Sequence, residues 1–249
     1  MSRALTLVFA IFAYAVFFAT FLYLILFVGD FSLGSVTLRT VNAPPTTLPV
    51  AGALAIDVAL IALFGIQHSV MARQGFKKAW TRVVPPYAER SVYVLIASLI
   101  LVILFRFWEA VPIVIWDLSR TLLSGPIWLV FWAGWLTVLT STFLINHFEL
   151  FGLQQAWFRL RNRKFEEPQF RTPFLYRFVR HPLYLGFMLA FWAVPTMTVS
   201  HLVLAIGMSA YMIIAIGYEE RDLVGFHGDK YEEYRGRVGM LLPRFGRRA

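Results

Sequence analysis

Four short polar groups interrupt an otherwise apolar chain, and each has the residue types to do chemistry. Gln67-His68-Ser69 carries an imidazole, which titrates close to neutral pH and can take a proton. Asn146, His147 and Glu149 set a second imidazole beside an amide and a carboxylate, the partners a general base needs for orientation. Arg180-His181-Pro182-Leu183-Tyr184 places a proline where the first turn of a helix accepts one. Glu219-Glu220-Arg221 is a double acid. Consecutive helical residues point about 100° apart, so one carboxylate can face a site while the other meets basic groups. Such a carboxylate suits sugar hydroxyls or a cation. With no cysteine in the chain, disulfides, cysteine-ligated zinc and a cysteine nucleophile are excluded. No metal site is expected.

The elements that position these groups must lie in a membrane. Of the 249 residues 59% are hydrophobic and only 15% charged, where a soluble domain has about one quarter charged. Residues 4–29, 121–148 and 181–218 form runs of 26, 28 and 38 residues without Lys, Arg, Asp or Glu. About 20 apolar residues cross a bilayer once as a helix. The expected fold is therefore all-α, an integral-membrane helical bundle with about six crossings: 4–28, 49–72, 91–107, 126–145, 174–194 and 201–218. The 38-residue run is too long for one crossing. Pro195, Thr196, Thr198 and Ser200 offer a turn inside it, so the last two crossings are expected to form a tight hairpin. The first span has an apolar stretch much longer than a signal peptide's and no clear cleavage site after it, so it is expected to stay. One domain covers 1–249, read as N-terminal helices (1–72), middle helices (73–145) and a site-forming region with a polar tail (146–249).

Charge gives the orientation. Arg3, five cations in 73–90, seven in 146–180 and seven in the tail fall on one side of a six-span bundle. Arg39 and Arg120 fall on the other, and Arg106 ends the third span. Both termini are then cytoplasmic, and a bacterial inner membrane is the expected location. The asymmetry accounts for the net charge of +9 without nucleic acid. The basic stretches 159–164 and 244–248 are read as lying against anionic headgroups. All four polar groups fall on the cytoplasmic side, as a cytoplasm-facing pocket requires.

Blander roles compete at each position. A histidine at a helix end commonly makes interfacial hydrogen bonds, which would explain His68 alone. Asn146, His147 and Glu149 could simply cap a helix. Asp57 lies about three turns before His68 on the same helical face but is better read as a hydrogen-bonding group inside the bundle. His201, at the outer hairpin, is read as structural.

The C-terminal third carries an ordered series. Arg180-His181-Pro182-Leu183-Tyr184-Leu185-Gly186, Glu219-Glu220-Arg221-Asp222-Leu223, His227-Gly228-Asp229-Lys230-Tyr231-Glu232-Glu233-Tyr234 and Pro243-Arg244 follow one another. The series resembles the signature of integral-membrane methyltransferases of the isoprenylcysteine carboxyl methyltransferase and phospholipid methyltransferase type. Three further stretches resemble bacterial methanethiol S-methyltransferases: Gln67-His68-Ser69-Val70-Met71-Ala72-Arg73, Glu89-Arg90-Ser91-Val92-Tyr93, and Asn146-His147-Phe148-Glu149-Leu150-Phe151-Gly152-Leu153. With them the resemblance covers most of the chain.

That resemblance implies S-adenosylmethionine as methyl donor and methanethiol as acceptor, with dimethyl sulfide as product. It assigns the donor to His181, Pro182, Tyr184, Leu185, Gly186, Glu219 and Glu220. Tyr231, Tyr234 and Arg235 of the tail are expected to close over it and shed water. No Gly-rich strand-turn-helix motif suggests a soluble mode of binding this donor. A thiol must lose its proton to attack. His68 or His147 is the expected acceptor of that proton, with Asn146 and Glu149 orienting the base and Arg73 favouring the anion. A prenylcysteine or lipid acceptor, or a non-enzymatic membrane protein of the NnrU kind, remains as an alternative reading.

Overall fold

The computed structural model describes residues 2–32, 38–163 and 171–244. Expectations about Lys164 and about 245–248 of the basic tail lie outside the described residues. In chain order the elements are α1 (Arg3–Gly29), α2 (Val50–Ala72), α3 (Gln74–Trp80), α4 (Pro86–Phe107), β1 (Val114–Asp117), α5 (Ser124–Ile145), α6 (His147–Leu150), α7 (Leu153–Leu160), α8 (Pro182–Trp192), β2 (Thr196–Thr198), α9 (Val199–His227) and α10 (Asp229–Arg237). Among the described residues, α1, α2, α4, α5 and α9 are long and apolar enough to cross a membrane. The protein is an integral-membrane helical bundle.

Three boundaries differ from the sequence reading. The third span begins at Pro86 rather than residue 91, because Pro86 occupies the first turn and Glu89 sits in the same turn. The fifth is not one helix over 174–194. A 3₁₀ turn (Phe174–Arg177) precedes irregular chain, and α8 has 11 residues, about 16 Å. That is about half the hydrocarbon thickness. The cause is local: the residue before a proline is driven from helical geometry, and His181 has φ −125° and ψ 63°. The sixth runs past residue 218 to His227, so Glu219 and Glu220 lie inside a helix that continues two turns beyond them.

The short α8 is held by α5 at a glycine crossing. A Cβ on Gly134 would stand 2.7 Å from the Gly186 carbonyl oxygen, and one on Gly186 would stand 2.7 Å from that of Gly134. Backbones that approach so closely need small residues, the usual way helices associate in lipid. Phe131, Trp135, Ala190 and Phe191 join the main core around this crossing.

The two ends of the bundle differ in kind. At one end β1 and β2 pair antiparallel, a small sheet in a fold expected to be all helix. Thr198 accepts from the His201 amide, Ser200 Oγ accepts from the Val111 amide at 2.6 Å, and Pro195 follows three residues after α8 ends at Trp192, so the turn falls where the polar residues of 195–200 suggested. His201 is buried and donates Nε2–H to the Phe191 carbonyl at 2.9 Å, a structural role. Asp57 is buried at this end and accepts from the Glu109 amide at 2.9 Å. It hydrogen-bonds inside the bundle, about three turns from His68 along α2. At the other end Arg3 donates to Asn162, Arg159 lies over the Tyr87 ring and Arg73 approaches Asp222. The basic segments are thus gathered at one end, as the charge pattern requires.

Candidate active site

Arg180 is the knot of the basic end. Its side chain is 7% exposed, and its Nε donates to Glu220 Oε1 at 2.7 Å. Nη1 of the same guanidinium donates to the carbonyls of Arg235 and Val238 at 3.0 and 2.5 Å. His181 Nε2 donates to the same carboxylate oxygen at 3.0 Å. The backbone continues the joint: the amides of Arg180 and His181 donate to the carbonyls of Gly239 and Met240. One buried ion pair therefore ties the start of α8, the end of α9 and the tail helix α10 together. Buried charges persist only when paired and hydrogen-bonded, and here both conditions hold.

The tail is seated through its tyrosines. Tyr231 and Tyr234 are buried with ring centroids 5.8 Å apart, and Tyr234 donates to the Tyr176 carbonyl at 2.5 Å. Burial pushes the Tyr234 phenol up to about 12. Burial, and then Glu220, raises Tyr231; burial, and then Glu219, raises Tyr176.

One turn into α8, Tyr184 donates to Glu219 Oε2 at 3.0 Å, so each half of the double acid has its own partner. Tyr211, two turns before Glu219 on α9, lies within electrostatic reach of both groups. It also meets His68 edge-on at 6.1 Å, while Tyr93 and Phe64 lie 4.9 and 5.1 Å from the imidazole. His68 Nδ1 is buried and has no hydrogen-bond partner among the described residues. A buried polar atom left so costs about 1–3 kcal/mol.

His147 presents the opposite case. The Thr142 hydroxyl donates to the Leu139 carbonyl at 2.7 Å, so His147 Nδ1 donates to Thr142 Oγ1 at 2.9 Å. Nε2 must then accept from the Tyr14 hydroxyl at 2.8 Å. Phe143 stacks on the ring at 4.3 Å, and both nitrogens are committed. Asn146 turns the same way. Its Oδ1 accepts from the Glu149 amide, and its Nδ2 donates to Glu149 Oε2 and Gln154 Oε1. These three residues cap and brace the turn between α5 and α7. Gly152 completes it with φ +88° and a Cβ position 2.5 Å from Ser91 Oγ.

Arg73 joins α2 to α9. It donates Nε–H to the Ser69 carbonyl, covers the Tyr218 ring at 4.6 Å and stands 3.7 Å from Asp222.

Curated relatives align with the chain almost end to end. It is 49% identical over 243 residues to the methanethiol S-methyltransferase of Mycobacterium tuberculosis, covering 98% of each chain. It is 48% identical over 241 residues to methanethiol S-methyltransferase 1 of Bradyrhizobium diazoefficiens, covering 97% of this chain and 83% of that one. The chain belongs to the methanethiol S-methyltransferase family. It is also 30% identical over 183 residues to Nurim of Rattus norvegicus, covering 70% of this chain and 69% of that one. No family model and no solved structure matches it.

A methanethiol S-methyltransferase needs a methyl donor and a thiol, and the basic end has groups suited to each. His181, Tyr184, Glu219, Glu220, Tyr231 and Tyr234 fall in one connected cluster there. Pro182 opens α8 at its first position. Gly186 lies against Gly134, so close helix packing already explains its missing side chain, and Leu185 is half-buried beside it. Arg235 contributes its carbonyl to Arg180, while its guanidinium is exposed. Four residues of these contacts escaped the sequence reading. Arg180 stood in the quoted motif, and its place beside His181 was the available signal. Tyr211 is the polar-tipped residue two turns before Glu219 in an apolar run. Tyr93 stood in a quoted stretch, but Tyr14 had no signal, because its partner His147 is 133 residues away.

Proposed function

We propose that this chain transfers the methyl group of S-adenosylmethionine to methanethiol, releasing dimethyl sulfide, at the basic end of the bundle facing the cytoplasm from a bacterial inner membrane. The observation that supports this most is the convergence of His68, Tyr184, Tyr211 and Glu219 beside the joint made by Arg180, His181 and Glu220.

These residues suit the donor. His181 commits Nε2 to Glu220 and gives α8 no side-chain cap, so the opening N–H groups of that helix suit a carboxylate. Glu219 and the faces of Tyr184 and Tyr211 suit a cation. Tyr231 and Tyr234 hold α10 over this region and exclude water. Bound there, S-adenosylmethionine supplies a methyl group on a positively charged sulfur.

The chain's own work is to align two sulfurs and remove one proton. Alignment in a dry site lowers the barrier by several kcal/mol. The new bond joins the thiol sulfur to the methyl carbon; the old one returns its electron pair to the donor sulfur, leaving a neutral thioether. The thiol proton goes to His68 Nδ1, the imidazole nitrogen with no partner of its own. Arg73, at the end of the same helix, favours the thiolate. His147, Asn146 and Glu149 hold the α5–α7 turn and take no proton.

The test uses detergent-purified protein, labelled S-adenosylmethionine and a panel of thiol, prenylcysteine and phospholipid acceptors, with volatile labelled product as the readout. Methanethiol is expected to yield dimethyl sulfide. His68→Asn is expected to lower turnover by about 10²–10⁴ with S-adenosylhomocysteine binding retained. Folded His147→Asn protein keeps its turnover. Product from the lipid acceptors alone, or a His68 variant as active as wild type, overturns the reading.

A further inference from the structure

At the end of the bundle away from this cluster, α1 and α4 leave a groove of about 350 Å³ between them. It is lined by Ala19, Tyr23, Val102 and Phe105, and by two cations, Arg39 and Arg106. Beside it Val102, Ile103 and Phe107 are 45%, 40% and 54% exposed, so the groove opens onto the surface that faces lipid.

The two arginines are unusual. Most of the chain's cations lie at the opposite end, and Arg39, Arg106 and Arg120 are the exceptions. Arg39 is built into place: its Nη1 donates to the Trp108 carbonyl at 3.0 Å, and its own carbonyl accepts from the Tyr23 hydroxyl at 2.8 Å. Arg106 lies along Phe107 at 5.5 Å in the last turn of α4. Among the described residues neither guanidinium has a carboxylate within ion-pair distance. The acids at this end serve other groups. Asp30 receives Thr40 and Asn42, and Glu109 receives Thr46. Residues 33–37 bring no carboxylate in sequence.

A cation beside an apolar wall at a helix end calls for an anion with an apolar body. We propose that this groove binds one anionic phospholipid of the adjoining leaflet, its phosphate on Arg39 and Arg106 and an acyl chain along Ala19 and Val102. Basic groups near a membrane surface select anionic headgroups with about fivefold preference apiece. The bundle supplies its own contrast. A groove of about 320 Å³ formed by Leu7, Phe148, Leu153, Gln154, Trp157 and Phe158 has no charged lining and so nothing to select a headgroup.

The test is native mass spectrometry of the full chain, purified in detergent and offered equal amounts of phosphatidylglycerol, phosphatidylethanolamine and phosphatidylcholine. One phosphatidylglycerol per chain is expected to be retained preferentially. Arg106→Gln, an exposed position, is expected to lower that preference about fivefold, and Arg39→Gln with Arg106→Gln to abolish it. Arg120→Gln leaves it unchanged. Equal retention of the three lipids, a preference that survives both substitutions, or a dimer that carries no lipid overturns the proposal. Methyl transfer is not read in this experiment, so its result stands apart from the proposed activity.

Discussion

Replacing Glu220 by Gln tests whether one carboxylate holds the tail over the site. Glu220 Oε1 receives both Arg180 Nε at 2.7 Å and His181 Nε2 at 3.0 Å. With the two side chains of the ion pair 7% and 13% exposed, solvent does little to screen it. Removing one member of such a buried pair costs about 3–5 kcal/mol, because the other charge stays buried without its partner. Arg180 also grips the Arg235 and Val238 carbonyls, so the loss falls on the docking of α10. At 1.4 kcal/mol per factor of ten, amides in α10 should exchange with deuterium about 100-fold faster or more. Glu233→Gln is the control. Its partner Arg237 is on the same helix, the side chains are 68% and 62% exposed, and pairs of that kind contribute about 0–1 kcal/mol. Hydrogen–deuterium exchange on both variants in detergent decides the matter. If Glu220→Gln exchanges within about threefold of Glu233→Gln, the pair behaves as an exposed one and the reasoning fails.

Alkali should loosen the same joint. Undocked, Tyr234 ionises near 10, whereas docked it holds its proton to about 12. A raised pKa makes docking weaken as pH climbs through that window, by up to about 1.4 kcal/mol per unit, with no loss below it. Limited proteolysis of the tail against pH should show this slope in wild type and a shallower one in Tyr234→Phe; equal slopes refute the assignment. At the α5–α8 crossing, Gly186→Ala puts a methyl 2.7 Å from a carbonyl oxygen and should destabilise by about 1–3 kcal/mol in thermal unfolding. Gly52→Ala, with open space around it, should not, and equal melting of the two variants removes the crossing as an explanation.

Long spans were legible because lipid imposes one rule on every backbone group: it must be bonded within its own helix or barrel. The runs at 4–29 and 121–148 therefore became α1 and α5 with boundaries shifted by only a few residues. Length alone was not enough at 174–194, where Pro182 cut the apolar stretch and left an 11-residue helix. The strand pair at the far end lay outside sequence reasoning, since Val114 and Thr198 pair across 84 positions of chain.

At the site, the sequence determined which chemical groups are present and, through the distribution of Lys and Arg, that they share one end of the bundle. It could not rank the two histidines. His68 lies in the last turns of one long apolar helix and His147 just past the end of another, and both stand among polar neighbours in sequence. Only the tertiary structure separates them, by bringing Tyr14 of the first helix onto one imidazole and packing three rings around the other while leaving its Nδ1 without a hydrogen-bond partner among the described residues. Hydrogen bonds depend on distance in space, and that distance is set by how the helices pack, a property no local stretch of residues contains.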